Sequence, residues 1–136
     1  MNHACLVMID DNPGDIELVC IAFEMREITA DVRTACDGDQ GIALLARLER
    51  ENLIPRLVLL DLNMPRVSGF EVLAFIRTRA ALAAMPVIIF SSSNAPRDRE
   101  RSLTLGATEF MVKPHDLAAM LVLVDRLGAY VTGPAA

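Results

Sequence analysis

Two adjacent aspartates, Asp10 and Asp11, follow an apolar run; a third, Asp61, closes another in "VLLDLNMPRVSG"; Lys113, the only lysine in 136 residues, stands in "FMVKP". Carboxylates gathered within a few ångströms repel one another, and with ordinary pKa values of about 4 they are ionised at neutral pH unless a cation offsets the charge. With oxygen ligands alone on offer, Mg²⁺ is the expected cation, since it takes one or two carboxylates, keeps several waters and accepts phosphate oxygens. No histidine or cysteine joins the set, so zinc is disfavoured. Asp61 is already deprotonated and can attack phosphorus without the partner base a serine would need. In-line transfer then requires positioning and neutralisation of three equatorial oxygens. Mg²⁺ could take one, Lys113 another, and the Ser91 hydroxyl with nearby backbone N–H groups the third.

These residues meet only if the chain folds so that their loops share one rim. Short apolar runs alternate with helical periodicity, the pattern of repeated βα units around a parallel sheet. The runs are Cys5 to Ile9, Asp31 to Cys36, Leu57 to Leu60, Val87 to Phe90 and Glu109 to Val112. "CLVMI", "LVLL" and "VIIF" are continuously apolar and so are expected as central strands, covered on both faces. Asn12 and Pro13 suit the start of a first helix with Ile16, Val19 and Phe23 inward; Ser68 and Gly69 open a third with Phe70, Leu73 and Ile76 inward; Gly106 ends a fourth. Binding crevices of open α/β sheets lie at the carboxyl ends of strands. Asp10 and Asp11, Asp61, Ser91 to Ser93 and Lys113 all fall there.

Composition agrees with one compact domain over residues 1–136: 53% hydrophobic, 23% charged, formal net charge -5. That charge, with no Lys/Arg block, argues against direct nucleic-acid binding. The longest uncharged stretch, Ala80 to Pro96, is broken by Met85-Pro86 and three serines, so no membrane span is expected. The start, "MNHACLVMIDD", has neither a basic leader nor a long apolar segment, and a cytoplasmic protein is expected. Cys5, Cys20 and Cys36 are odd in number and widely spaced, and read as small core residues. His3 and His115 read as exposed polar residues, and the final "TGPAA" as frayed.

In order and spacing these motifs resemble the receiver domain of bacterial two-component response regulators, over essentially the whole chain. The resemblance rests on Asp10-Asp11 in "MIDDNPGD", on Asp61 before Met64, Pro65 and Gly69, on Ser91 and on Lys113-Pro114. It implies a five-stranded parallel sheet in the order 2-1-3-4-5 with five helices on both faces. It further implies Asp61 as phosphoacceptor, Mg²⁺ on Asp10, Asp11, Asp61 and the backbone carbonyl of Asn63, and a cis proline at Pro114. Ser91 and Phe110 would form the switch, and a sensor histidine kinase would donate the phosphoryl group. The chain departs from the common pattern at Ser92, where alanine is usual, and at Phe110, where tyrosine is frequent. "DNPGD", "SSS" and the lack of an output domain are similar to small stand-alone regulators, including those paired with phytochrome-type kinases.

The last helical segment, "DLAAMLVLVDRLGAYV", carries two adjacent apolar stripes: Leu117, Leu121 and Val124, then Met120, Leu123 and Leu127. One covers the sheet; the surplus suggests a homodimer or a downstream-protein face built from the fourth helix, fifth strand and fifth helix. Two other classes compete. A phosphohydrolase with an aspartyl nucleophile would carry an acid two residues after Asp61, where Asn63 stands. A flavodoxin-like nucleotide module would need a phosphate cradle after the first strand, where "DDNPG" repels phosphate unless metal is bound.

Overall fold

The computed structural model describes residues 4–133. His3 and the end of "TGPAA" lie outside them; His115 is exposed as expected. Five strands alternate with five helices: β1 Cys5–Ile9, α1 Pro13–Met25, β2 Asp31–Ala35, α2 Gly38–Arg50, β3 Leu57–Leu60, α3 Gly69–Thr78, β4 Val87–Ser91, α4 Pro96–Thr104, β5 Glu109–Val112 and α5 Leu117–Thr132. All pairings are parallel and the sheet order is β2-β1-β3-β4-β5. The three continuously apolar runs thus form the interior strands.

Alternation along each strand divides the core into two layers. Val7, Ile9, Val58, Leu60, Val87 and Ile89 face one cluster, completed by Leu45 and Leu48 of α2 and Val72, Leu73 and Ile76 of α3. Leu6, Met8, Leu59, Ile88 and Phe90 face the other, closed by Val19, Ala22 and Phe23 of α1 and by Met120, Val124 and Leu127 of α5. Phe70, expected inward, is only partly buried, because the third helix turns Val72 to the sheet instead.

Helix starts follow local chemistry. The Asn12 side chain accepts from Gly14 N–H with Pro13 in the first turn, and Ser68 forms a capping box with Glu71, satisfying backbone donors that have no partner inside the helix. Gly69 has to be glycine, since a Cβ there would overlap the Asp61 carbonyl. Gly106, just past α4, has φ +103, a region that L side chains rarely adopt.

Several details differ from expectation. β2 stops at Ala35 because the Cys36 N–H turns to the Gln40 side chain (3.4 Å) instead of the ladder. Cys36 is exposed and Cys5 and Cys20 are half-buried, so the cysteines are not the core residues expected; all three are free thiols. β4 runs one residue further, to Ser91, which pairs with Val112. No cis peptide bond occurs among the described residues, so Lys113-Pro114 is trans; proline allows either isomer with only a small preference for trans. The two stripes of α5 merge into one broad face, because α5 packs on α1 as well as on the sheet. Met120, Val124, Leu127 and Val131 are buried and Leu121 and Leu123 half-buried against the core. An Arg26–Asp125 ion pair at 3.1 Å also joins α1 to α5.

Candidate phosphoryl and metal site

The sheet's hydrogen-bond ladder continues one rung past each strand end, and those rungs place the site. Asp10 N–H donates to Ala35 O (3.0 Å), Asp61 N–H to Ile9 O (2.9 Å) and Lys113 N–H to Ser91 O (2.8 Å). Three charged residues are therefore anchored by main chain at the rim where β1, β3 and β5 end. Asp11 follows Asp10 on the exposed side. Ligand oxygens of Asp10, Asp11 and Asp61 lie within 4.8 Å of one another.

Asp10 and Asp61 are buried, at 2% and 5% exposure. Asp10 Oδ1 accepts from Asn12 N–H at 2.9 Å, whereas Asp10 Oδ2 is buried with no aligned hydrogen-bond donor, although Lys113 Nζ is 2.9 Å away. The ammonium meets that oxygen without an aligned N–H, and one lysine against three clustered acids leaves net negative charge that calls for a further cation. An all-oxygen set of three acids with one such oxygen fits Mg²⁺. Asn63, whose carbonyl is the further expected ligand, is exposed in the β3–α3 loop and lines the same cleft.

Electrostatics reflect the crowding. Burial, then the charge of Asp10, pushes the Asp61 carboxyl up to about 7, against a pull downward from Lys113. Asp10 is raised as well, by burial first, with the Asn12 N–H and Lys113 opposing. Burial alone would lower Lys113, but the hydrogen bond to Asp15, the close contact with Asp10 and the charge of Asp61 leave it above the ordinary lysine value. Its ammonium lies 2.7 Å from Asp15 Oδ2 and 3.7 Å from Asp61 Oδ2.

The cleft over these groups is open and about 330 Å³ in volume, with Asp11, Asp15, Asp61, Ser92 and Lys113 among its lining. Pro114 and His115 form one wall. Ser91 is fully buried beneath, and its Oγ accepts from Ser93 N–H at 3.1 Å. Phe110 is 8% exposed and packs in the α2/α3 layer, so the ring already occupies an inward position. Pro65 O accepts from Val67 N–H at 2.8 Å, bending the chain around Arg66, whose φ is 66°. With Gly69 against the Asp61 carbonyl, this turn folds the loop back over the end of β3.

One contributor, Asp15, was not legible as a site residue, and the part that Ser93 takes was legible only as a place on the rim. Asp15, in the first turn of α1, reads as an ordinary acid at a helix N-terminus, yet it is the nearest partner of Lys113. Ser93 Oγ donates to Asp98 Oδ2 (2.8 Å) and accepts from Ala95 N–H (3.2 Å), tying the β4–α4 loop to α4. A signal for Asp15 existed in its spacing: Pro13 fixes the helix start, which puts residue 15 on the turn beside Asp10.

Fold and site define a class: the response regulator receiver domain matches residues 6–125, and the chain belongs to that family. Among its relatives is the DNA-binding dual master transcriptional regulator RpaA of Synechocystis, 34% identical over 122 residues, which cover 90% of this chain and 48% of that protein. The chain thus spans about half of that relative's length. Similar solved structures include the phosphorylated cyanobacterial phytochrome response regulator RcpA, with TM-score 0.85, 31% identity and 98% and 97% of the two chains covered. The Mn²⁺-bound response regulator Rcp1 superposes with TM-score 0.83 at 27% identity, covering 97% of each chain. The protein is a two-component receiver domain, and its structural neighbours include response regulators of phytochromes.

Proposed function

We propose that Asp61 accepts a phosphoryl group from the phosphohistidine of a sensor kinase. An Asp61 carboxylate oxygen forms a bond to phosphorus as the histidine nitrogen–phosphorus bond breaks, and the imidazole leaves with the electron pair. Asp10, Asp11, Asp61 and the Asn63 carbonyl are the residues that would hold Mg²⁺. When bound, that ion offsets the acids and offers open positions to a phosphoryl oxygen. Lys113 supplies a second positive contact and the Ser91 hydroxyl a third. The observation that carries this reading is the buried Asp61 carboxylate, crowded by two further acids and faced by the chain's single lysine.

The Ser91 hydroxyl can donate to a phosphoryl oxygen while it accepts from Ser93 N–H, so a movement of Ser91 toward the phosphoryl group pulls on the β4–α4 loop. Ser91 and Phe110 then bias two arrangements of the α4–β5–α5 surface. Leu103, Val112 and Val122, one on each element, are 43%, 41% and 66% exposed, which supports that surface as the contact for a downstream protein or a second copy. Likeness to phytochrome response regulators supports a phytochrome-type kinase as donor, and a cytoplasmic location accords with such a partner. No helix among the described residues is long and apolar enough to cross a membrane.

Incubation with acetyl phosphate and Mg²⁺, followed by intact mass, tests the chemistry. Wild type should gain one phosphoryl group, and chelation of Mg²⁺ or Asp61→Ala should abolish the gain. Unchanged phosphorylation of Asp61→Ala would refute the assignment.

A further inference from the structure

Lys113 is expected to meet the phosphoryl group on Asp61, yet its ammonium sits elsewhere. It is 2.7 Å from Asp15 Oδ2 and 2.9 Å from Asp10 Oδ2, but 3.7 Å from Asp61 Oδ2, beyond hydrogen-bond range. An ammonium has three protons to give. The lysine side chain is only 12% exposed, so water competes poorly for them.

Asp15 is held where it is by backbone. Pro13 sets the start of α1, Asn12 caps it, and Asp15 N–H donates to Asn12 O at 3.1 Å. The capping is done by Asn12, which leaves the Asp15 carboxylate free to face the cleft. Three acids, Asp10, Asp15 and Asp61, thus share one lysine, and the nearest of them, Asp15, has no part in the metal cluster.

We infer that Asp15 is a positioning residue: it holds Lys113 back from Asp61 in the unphosphorylated protein, and phosphoryl capture requires this ion pair to yield. The inference rests on Asp61 as the acceptor. Asp15 stabilises the unloaded arrangement and not the loaded one, and only such a differential contact shifts an equilibrium between the two. Neutralising it should therefore favour the loaded state.

Beryllofluoride, a phosphoryl mimic, is titrated in the presence of Mg²⁺ into wild type, Asp15→Asn, Asp15→Ala and Asp15→Glu, with thermal melts confirming that each is folded. Asp15→Asn and Asp15→Ala should bind the mimic more tightly by about fivefold, the scale of one lost ion pair, and Asp15→Glu should return toward wild type. The tightening should survive high salt, because a contact pair shielded from water is weakly screened whereas a distant charge effect is not. Independently, ¹⁵N-lysine labelling of the metal-free protein gives one side-chain ammonium signal, since Lys113 is the only lysine. That signal should shift and exchange faster with solvent in Asp15→Asn. Unchanged affinity, a tightening lost in high salt, an Asp15→Glu protein resembling Asp15→Asn, or an unmoved ammonium signal would each overturn the inference. Failure of wild type to bind beryllofluoride would instead remove the Asp61 reading, and this inference with it.

Discussion

Asp61 shows how a single residue can trade stability for chemistry. Its carboxyl is raised from 3.8 to about 7 in the metal-free fold. Between those values the folded state holds a proton that the unfolded chain has released, so the stability it contributes is present at low pH and lost as pH rises toward 7. Asp10 shifts in the same direction. Metal-free protein should accordingly become less stable from about pH 4 to pH 7 through these groups. Asp61→Asn should be more stable than wild type at pH 8 by about 2 kcal/mol. Urea denaturation across pH checks both, and added Mg²⁺ should narrow the gap by stabilising wild type alone. The acids, Ser91 and Lys113 were readable because each ends or follows an apolar run, where the crevice of a parallel sheet must lie. The spacing from Pro13 placed Asp15 beside Asp10 but did not reveal its contact with Lys113, which depends on which way the first turn of α1 faces the end of β5, seven elements further along the chain. Periodicity carries no such information.

At the scale of elements, boundaries are decided by local polar contacts more than by hydrophobic pattern. Cys36 left the strand because Gln40, on the next helix, offered its N–H an acceptor. Ser91 stayed in its strand because Val112 paired with it. The Lys113-Pro114 bond, expected cis by resemblance, is trans, which no residue pattern could decide when the two isomers differ so little in energy. The start of α3 was fully legible: Ser68 and Gly69 mark it, and Glu71 completes the capping box. Because a Cβ on Gly69 would overlap the Asp61 carbonyl, Gly69→Ala should cost about 3 kcal/mol of stability by forced overpacking. It should also slow phosphorylation by acetyl phosphate, because the displaced backbone carries Asp61, the proposed acceptor. Ser68→Ala, which removes only the cap, should cost about 1 kcal/mol and leave the phosphorylation rate near wild type. Denaturant melts and mass-detected phosphorylation time courses distinguish the two.

For the whole molecule, which strands are interior followed from which runs were continuously apolar, since only β1, β3 and β4 could be covered on both faces, whereas the order 2-1-3-4-5 was implied by the resemblance alone. The second apolar stripe of α5 was harder to place. Its packing against α1 absorbs Met120 and Leu127 and half-buries Leu123, leaving Val122 and, less so, Leu117 as the exposed large hydrophobic residues of that helix. Val122→Asp should change stability by no more than about 0.5 kcal/mol, as exposed substitutions do. It should leave phosphorylation of Asp61 intact and abolish any association that beryllofluoride induces in wild type. Light scattering over a concentration series reads the outcome, and an association that survives the substitution would move the interface off this face.

The rungs that fix Asp10, Asp61 and Lys113 tie their amides to carbonyls of neighbouring strands rather than to loops. Hydrogen–deuterium exchange at these three amides should consequently be as slow as in the interior strands, and remain so when an ion or phosphoryl mimic arrives. Charge can then change hands at this rim while its floor stays still, so the message has to travel sideways through hydroxyls and loop atoms instead of along the strands.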